Sequence, residues 1–270
     1  MEPTRQKEGS EPTPMPCVQS VRPQYRDADP DGLIGLRGVM RNFQDIHTWA
    51  MHAIDRGNDV IPERYGAGWV YTRYHLVLRE KPDYTDDMTL TAWMEPYRQP
   101  VLVNMDMTVT QHGRLMAMGK LECCVFSLTR GRPLRLSAID FPENVPEEIP
   151  NEIPDFIGLE KTAEGMAKRY RRVVRVSDLD KNRHMNNLRY IEMFQDAHDS
   201  AFWDALAPVE TEISFISQCL EGETLSVRSR VDGNRVYLAA LHEDGRLAAV
   251  ALFHGADQAG AEEEKGKDTV

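Results

Sequence analysis

The sequence predicts an α+β fold in which one unit, a long helix wrapped by a curved antiparallel sheet, occurs twice in tandem. The first observation is a match without gaps between residues 26–46 and residues 177–197. The second is a match in the same order further along, between residues 113–117 and residues 245–249. The third is that a stretch with helical periodicity precedes several β-like runs in both halves. Two matches in one order favour internal duplication over chance similarity.

Only the second copy of the repeat carries polar residues of catalytic type. The identical positions of the first match are Asp27 with Asp178, Asp29 with Asp180, and Phe43-Gln44-Asp45 with Phe194-Gln195-Asp196. Asn182 and His184, however, stand opposite Asp31 and Leu33. We therefore predict a pseudo-dimer with one working site, in the second half. Asp27 and Asp29 are expected to order the entry to the first helix, because no Asn or His accompanies them.

The first unit begins at a turn of Asp, Pro and Gly residues, at 29–32. Apolar residues then recur at spacings of three and four, at Val39, Phe43, Ile46, Ala50 and Ile54. This periodicity is typical of a helix with one buried face, and Gly57 fits its end. β-like runs follow at 69–78, 88–94, 101–110 and 115–128. The turn at 111–114 is expected to join the last two runs as a hairpin.

The second unit repeats this order. A strand is predicted at 171–177 and a helix at 187–205, and β-like runs follow at 212–220, 224–231, 235–241 and 247–254. A helix with one apolar stripe must bury it, and a curved antiparallel sheet around the helix does so. That arrangement is the hotdog fold. Two such units in one chain predict a tandem, or double, hotdog whose sheets join edge to edge and so protect strand edges.

A proline-rich stretch separates the two units. Residues 142–155 contain four prolines and five acidic residues. Because proline blocks helix and sheet pairing, this composition predicts an extended linker. The predicted organisation is a disordered lead at 1–16, an N-terminal hotdog domain at 17–141, a linker at 142–165, a C-terminal hotdog domain at 166–255 and a disordered tail at 256–270.

Composition places the chain among soluble globular proteins. Of its 270 residues, 41% are hydrophobic and 28% are charged. No apolar run is long enough to span a bilayer, and the N-terminus lacks the apolar region of a secretory signal. The formal net charge of −11 argues against general nucleic-acid binding. Four cysteines without CxxC spacing predict reduced thiols in a cytoplasmic protein: Cys17, Cys123, Cys124 and Cys219.

The most informative motif lies at 178–190. Its polar and aromatic positions are, in order, Asp180, Asn182, His184, Asn186, Asn187 and Tyr190. This stretch resembles the signature of acyl-acyl carrier protein thioesterases, the FatA/FatB-like family of plants and bacteria. Supporting positions in the first half are Trp69, Val70, Thr72, Arg73, Pro82, Asp86 and Trp93. The resemblance covers roughly residues 20–254.

The resemblance implies an enzyme that hydrolyses the thioester of acyl-acyl carrier protein and releases a free fatty acid. The first domain would bind the acyl chain and the second would catalyse. The implied catalytic residues are Asp180, Asn182 and His184, and the implied substrate-binding residues are Asn186, Asn187, Trp69, Thr72 and Arg73. The implied partner is acyl carrier protein with a phosphopantetheine-linked acyl chain. Neither a cofactor nor a metal is expected, and the chain would be a monomeric pseudo-dimer or a homodimer.

Thioester hydrolysis needs an activated water and a site for the developing oxyanion. Asp180 would act as a base or orient the imidazole of His184, which would relay a proton because histidine titrates near neutrality. The amide of Asn182 would position the water or the carbonyl. Free N–H groups and the dipole at the start of the second helix would polarise the thioester oxygen. Asn186 and Asn187 lie where Asn is favoured as a helix cap.

The residues at 218 and 219 depart from the family pattern. The family often has a Glu, sometimes followed by Cys, on the strand after the helix, and this chain has Gln218 and Cys219 there. Gln cannot act as a base, so either a nearby carboxylate (Glu212, Glu221 or Glu223) serves, or the water is activated without one. Cys219 permits a covalent mechanism with His and Asn. A buried structural cysteine is the favoured alternative, because reactivity requires an activating environment.

The scattered histidines, the methionines and a basic run can each be explained by a structural role. Six histidines lack metal-ligand spacing and are expected in surface or core roles: His47, His52, His75, His112, His198 and His242. Six methionines are interpreted as core residues, with an acyl tunnel as the alternative: Met40, Met51, Met105, Met107, Met116 and Met118. The basic run of Arg169, Arg171 and Arg172 is either a solvated strand end or a patch for the acidic carrier protein or its phosphate.

Three alternatives to the leading function stay open at this point. An acyl-CoA thioesterase would share the fold and the site. A hydratase acting on enoyl thioesters usually combines a catalytic His with an Asp, and the Asn-rich motif argues against it. A non-catalytic thioester-binding regulator is compatible with Gln218 in place of the family Glu.

Overall fold

The computed structural model describes residues 15–96, 99–142 and 153–256. Most of the predicted lead at 1–16 and of the predicted tail at 256–270 therefore lies outside the described residues, as do residues 143–152 of the predicted linker. The domain boundaries themselves remain predictions.

Ten strands and four α-helices make up the described chain. The first half contains β1 (Cys17–Val21), α1 (Leu36–Ala53), α2 (Ile61–Tyr65), β2 (Ala67–Leu78), β3 (Met88–Met94), β4 (Leu102–Gln111) and β5 (Arg114–Ser127). The second half contains β6 (Ala167–Val173), α3 (Asn187–Gln195), α4 (Ser200–Leu206), β7 (Pro208–Phe215), β8 (Thr224–Asp232), β9 (Arg235–Leu241) and β10 (Leu247–Gly255).

All ten strands form one sheet in the order β1-β3-β4-β5-β2-β7-β10-β9-β8-β6. Read from either edge to the centre, the order is the same: the first, third, fourth, fifth and second strand of a half. The halves are thus related by a pseudo-two-fold axis between β2 and β7. These central strands pair antiparallel, with Arg73 opposite Ser214 and Val77 opposite Glu210. The join removes one open strand edge from each half, as the tandem arrangement predicts.

The long helix α1 packs its apolar stripe onto the first half of the sheet. Val39, Phe43 and Ile46 are almost fully buried, because their spacing places them on one helix face. Phe43 lies so close to β5 that a Cβ atom at Gly119 would come within 2.7 Å of its ring. Helix α1 also contacts α3 across the pseudo-two-fold axis. The duplicated helices therefore lie side by side.

The entry to each long helix is built in the same way, which supports the duplication. Asp27 and Asp178 each end a short 3₁₀ turn and are buried. One carboxylate oxygen of each accepts the backbone N–H three residues earlier, at 2.9 Å from Gln24 and 2.8 Å from Arg175. The prediction that Asp27 orders the first entry agrees with these contacts. Asp178 serves the second entry in the same manner.

Three predicted boundaries differ from the structure. The predicted helix at 187–205 is two helices, because Asp199 caps α4 by accepting the N–H of Phe202 at 2.9 Å. The strand predicted at 171–177 is β6, which ends at Val173, because residues 176–178 form the 3₁₀ turn. The strand predicted at 212–220 is β7 (Pro208–Phe215), which leaves residues 217–223 as a loop. The short elements β1 and α2 were missed.

Candidate active site

The motif at 180–184 forms a tight turn held by the carboxylate of Asp180. One oxygen, Oδ1, accepts the backbone N–H groups of Asn182 at 2.8 Å and of His184 at 3.1 Å. The N–H of Asp180 donates to the carbonyl of His184 at 2.8 Å. Arg183 completes the turn with a positive φ of 63°. Asp180 thus organises the backbone of this turn, which we call the 180–184 turn.

The side chains of Asn182 and His184 face no partner within the described chain. Asn182 is exposed and His184 is half-buried, and neither the amide nor the imidazole makes a hydrogen bond to a described residue. Both groups are therefore available to a bound molecule. Lys181 connects the turn to the first half by donating to the carbonyl of Asn58 at 2.7 Å.

Helix α3 begins directly after the 180–184 turn. Asn186 is its N-cap, and its Oδ1 accepts the N–H of Leu188 at 2.9 Å. The N–H of Asn186 itself donates to the carbonyl of Asp178 at 2.8 Å. The cap satisfies one of the free N–H groups, and the helix dipole adds positive potential at this end. A developing oxyanion near His184 would be stabilised there.

The loop at 217–223, which follows β7, lies against the turn. The N–H of Met185 donates to the carbonyl of Cys219 at 2.9 Å, and His184 pairs with Leu220 as an isolated β-bridge. Gln218 is exposed beside this contact. The structure therefore brings the Gln218-Cys219 pair to the motif.

The three glutamates considered as substitutes for a base at 218 are placed differently. Glu212 is fully buried on β7 and accepts the N–H groups of Ile157 and Gly158, so it does not serve the 180–184 turn. Glu221 is exposed, and no hydrogen bond links it to the rest of the described chain. Of the three, Glu223 contacts the loop beside the turn: its carboxylate accepts the N–H of Leu220 at 3.0 Å.

Cys219 has the surroundings of a buried structural cysteine. It is fully buried, and burial raises the pKa of its thiol to about 11. The hydroxyl of Tyr190 donates to its Sγ at 3.2 Å. The thiol therefore stays protonated near neutral pH, which weakens the covalent interpretation.

Two side chains at this loop, Ser217 and His242, were not proposed for the site from the sequence, whereas Glu223 was one of the three carboxylates considered. Nε2 of His242 lies 2.8 Å from Oγ of Ser217, and Nδ1 lies 3.4 Å from Oε2 of Glu223. Together with Cys219, Glu223 and His242 offer metal-type ligand atoms within 4.8 Å of one another. Each of these atoms already has a hydrogen-bond or ion-pair partner in the protein, so the donor set does not require an ion.

The family model described as "Acyl-ACP thioesterase C-terminal domain" matches residues 159–261. This match supports the assignment of the C-terminal part of the chain to the acyl-ACP thioesterase family. The predicted resemblance is confirmed, and the chain is a thioester hydrolase. A comparison with curated proteins finds no match.

Solved structures confirm the predicted tandem hotdog fold for this thioesterase. An acyl-ACP thioesterase from Bacteroides thetaiotaomicron superposes with a TM-score of 0.73 at 16% identity, over 89% of this chain and 98% of that one. A 12:0-ACP thioesterase from Umbellularia californica also gives a TM-score of 0.73 at 16% identity, over 89% and 97% of the two chains. At this identity the likeness establishes the fold alone.

The predicted substrate-binding residues of the first half bond within that half. The indole of Trp69 donates to the carbonyl of Arg56 at 2.7 Å. Thr72 and Arg73 both bond to the carboxylate of Glu122, at 2.6 Å and 3.0 Å. Among the described residues of the thioesterase, no hydrogen bond or ion pair joins these three side chains to the 180–184 turn. Their role in substrate binding stays a prediction.

The predicted basic patch is partly neutralised by internal partners. Arg172 pairs with Asp178 at 2.6 Å and faces Asp196 at 3.8 Å. Arg171 pairs with Glu243, although both side chains are more than half exposed. Arg169 donates to the hydroxyl of Ser229 at 2.6 Å. Arg169 and Arg171 therefore keep charge at the surface, whereas Arg172 mainly stabilises the helix entry.

The remaining residue groups occupy core or surface positions. The six methionines are all buried. His47 lies in the core, bonded to Tyr71 at 2.8 Å, and burial lowers its pKa to about 3. His52 and His112 form exposed pairs with Asp59 and Asp86. Of the histidines predicted to be structural, His242 is the one that lies beside the candidate site.

Two cavities stand apart from the turn. One of about 210 Å³ is lined by residues that include Arg73 and Glu122, and one of about 400 Å³ lies between residues 157–166 and strands β7–β10. Neither is lined by a residue of the 180–184 turn. Among the described residues, no helix is both long and apolar enough to cross a membrane.

Proposed function

We propose that this thioester hydrolase acts on acyl-acyl carrier protein and releases the free fatty acid, at the 180–184 turn. The observation that carries the proposal is the position of Asn182 and His184 just before the start of α3. Neither side chain makes a hydrogen bond to a described residue. The family match covers this half of the chain. An acyl-CoA substrate remains the alternative that experiment must separate.

In the proposed reaction, water attacks the thioester carbonyl beside the N-terminus of α3. His184 takes a proton from the water as the oxygen–carbon bond forms. The oxyanion is stabilised by the helix N-terminus, and the amide of Asn182 holds the water or the carbonyl. When the carbon–sulfur bond breaks, His184 returns the proton to the departing thiolate. Asp180 holds the turn, and the exposed amide of Gln218 orients water without accepting its proton.

We assign acyl-chain binding to the first half, within the predicted domain at 17–141. Its support is the apolar core between α1 and the sheet, where adaptable methionines such as Met40, Met105 and Met107 are buried. The second half, predicted at 166–255, would then carry the chemistry. A cytoplasmic location is also proposed, because all four cysteines are free.

The first test compares the turn with its counterpart in the other half. Asn182→Ala and His184→Ala are expected to lower kcat on acyl-acyl carrier protein by at least about 100-fold, because each removes a group that acts on the reacting atoms. Asp31→Ala is the matched control, since Asp31 occupies the position of Asn182 in the first repeat. Free thiol release measures the rate, and thermal unfolding checks the fold.

The same assay decides between substrates. Carrier-protein and CoA thioesters of equal chain length are measured side by side with wild-type enzyme. A higher kcat/KM for the carrier-protein substrate supports the proposal, and a higher value for CoA would transfer the function to acyl-CoA. Binding of both without thiol release would favour a regulator.

The acidic carrier protein is proposed to dock on exposed cations of the second half. Arg169 and Arg171 remain from the predicted patch, and Arg183 lies in the turn itself without a side-chain partner among the described residues. Local cations are notable in a chain of net charge −11. Arg183→Glu is expected to raise KM for the carrier-protein substrate about tenfold with kcat retained. Arg132→Glu, an exposed site on the other half, serves as the control; an unchanged KM in Arg183→Glu would refute this docking surface.

A further inference from the structure

The 217–223 loop is attached to the 180–184 turn at two consecutive backbone positions. Cys219 accepts the N–H of Met185, and Leu220 pairs with His184. The placement of the His184 backbone therefore depends on where this loop lies. Residues that hold this loop in place therefore also affect the geometry of the candidate active site.

The first half contains the same attachment and provides an internal reference. There, Leu33 pairs with Asp83 as an isolated bridge. The loop is held by the buried amide of Gln111, at the end of β4. This amide accepts the N–H of Asp83 at 2.9 Å and donates to the carbonyls of Asp83 at 2.8 Å and Asp86 at 3.2 Å. A neutral side chain thus suffices in the half without catalytic residues.

His242 occupies the position of Gln111 in the second half. Gln111 pairs with Arg114 across the β4–β5 hairpin, and the N–H of His242 donates to the carbonyl of Arg246 at 2.9 Å across the β9–β10 hairpin. Arg114 and Arg246 are matched positions of the sequence repeat. The second half has therefore replaced a neutral anchor with a titratable one.

The contacts of the His242 ring accommodate a proton on each nitrogen. The hydroxyl of Ser217 donates its single hydrogen to the carbonyl of Leu247 at 2.8 Å, so its oxygen accepts from Nε2 of His242 at 2.8 Å. Nδ1 then faces the carboxylate of Glu223 at 3.4 Å. A proton on Nδ1 makes the ring a cation paired with Glu223. Without that proton, a ring lone pair would point at a carboxylate.

Glu223 connects this ion pair to the turn. The same oxygen that faces His242, Oε2, accepts the N–H of Leu220 at 3.0 Å. Leu220 is the residue that pairs with His184. His242 is buried and Glu223 is about one-third exposed, so the pair is shielded more than a surface ion pair.

We propose that Glu223 and His242 form a positioning pair for the catalytic turn. Their ion pair fixes Leu220, and Leu220 fixes the backbone of His184 at the start of α3. The inference rests on the proposed function of His184. In the first half, Gln111 holds the corresponding loop without a charge. The charge of the Glu223–His242 pair is therefore assigned to catalysis at His184.

Substitutions that keep size and hydrogen bonding test the charge alone. In Glu223→Gln the side-chain oxygen still accepts from Leu220, and in His242→Gln the residue becomes that of the first half. Each is expected to lower kcat by about tenfold or more while KM stays within about twofold, because the reacting groups are misplaced but the binding surface is kept. The double variant should lose about as much as one single variant, because both remove the same ion pair.

Two controls separate catalysis from folding. Gln111→Ala removes the anchor of the first half and is expected to lower Tm while kcat stays within about twofold. Glu221→Gln changes an exposed neighbour in the same loop and is expected to change neither. Independent, additive losses in the two single variants would overturn the pairing, as would wild-type kcat in both.

The His184→Ala variant distinguishes the two proposals. If it is inactive while Glu223→Gln and His242→Gln turn over normally, the positioning pair is wrong and the proposed function stands. If His184→Ala is itself active, the proposed function fails, whatever the other variants do.

Discussion

Asp180 is the residue whose contacts define its role most closely. A single carboxylate oxygen accepts two backbone N–H groups of the 180–184 turn. The sequence suggested either a base or an orienting residue, and these contacts favour orientation through the backbone. The acceptor oxygen is then the essential feature of Asp180, and its negative charge is secondary.

Replacing Asp180 distinguishes these two roles. In Asp180→Asn an amide oxygen can accept the same N–H groups, so kcat is expected to stay within about tenfold of wild type. Asp180→Ala removes both hydrogen bonds and is expected to lower kcat by at least about 100-fold and stability by about 1–3 kcal/mol. Steady-state thiol release and denaturant unfolding measure the two effects. Loss of activity in the Asn variant equal to that in the Ala variant would favour a base.

The motif of the candidate site was visible in the sequence because its residues are close together along the chain. Asp180, Asn182 and His184 fall within one turn. Glu223 was considered only as one of three nearby carboxylates, and His242 looked like one of several scattered histidines, because its place beside the site depends on how distant strands pair. The ungapped match places Gln111 opposite Glu243, and His242 takes the structural position of Gln111 only because the second hairpin turn is one residue longer.

At the scale of elements, the start of α3 is the feature on which the proposed chemistry depends. Asn186 caps the helix, and the turn with Asn182 and His184 precedes it directly. The sequence placed this helix start correctly, because Asn is a favoured cap. It did not place the helix end, because the apolar stripe continues from α3 into α4 across the break capped by Asp199.

The two caps offer a matched pair of substitutions. Asn186→Ala and Asp199→Ala each remove one side-chain acceptor from a helix N-terminus and are expected to destabilise the protein by about 1 kcal/mol. Only Asn186→Ala is expected to lower kcat, by about tenfold or more, because α3 and not α4 adjoins the site. Unfolding curves and thiol release measure these effects. Equal kcat in the two variants would remove the helix N-terminus from the mechanism.

At the scale of the whole molecule, a partly buried hydrogen-bond network of Glu210 with two histidines joins the two halves. Glu210 on β7 bonds to His75 on β2 at 2.8 Å and to His254 on β10 at 3.0 Å. The hydrogen bond from His75, with a second from His254, lowers the pKa of Glu210 from 4.5 to about 2. Because the carboxylate is favoured in the folded protein, its stabilisation is present above pH 4.5 and is lost as the pH falls towards 2.

Acid unfolding tests this network. Between about pH 5 and about pH 3, wild-type protein is expected to lose on the order of 2 kcal/mol more unfolding free energy than Glu210→Gln, which has no carboxylate to protonate at this position. Denaturant unfolding at several pH values measures the difference. Glu221→Gln, at an exposed site, should follow the wild-type curve, and identical curves for all three proteins would contradict the assignment.

The overall fold was predictable because two separate segments of the first half match segments of the second half in the same order. Once one helix and its strands were recognised, the second set at matching positions required a tandem hotdog. The sequence predicted that the two sheets join edge to edge, but it did not predict that β2 pairs with β7. The register of this pairing depends on side chains from both halves, such as Glu210 and His75, whose meeting no local pattern encodes.

Thioester hydrolysis is expected at the second of the two equivalent turns and not at the first. The direct measurement is kcat/KM for free thiol release from an acyl-acyl carrier protein by His184→Ala and by Leu33→Ala, its counterpart in the first repeat. We expect a loss of at least about 100-fold in His184→Ala and a change within about threefold in Leu33→Ala. A folded His184→Ala protein with turnover close to wild type would contradict the claim.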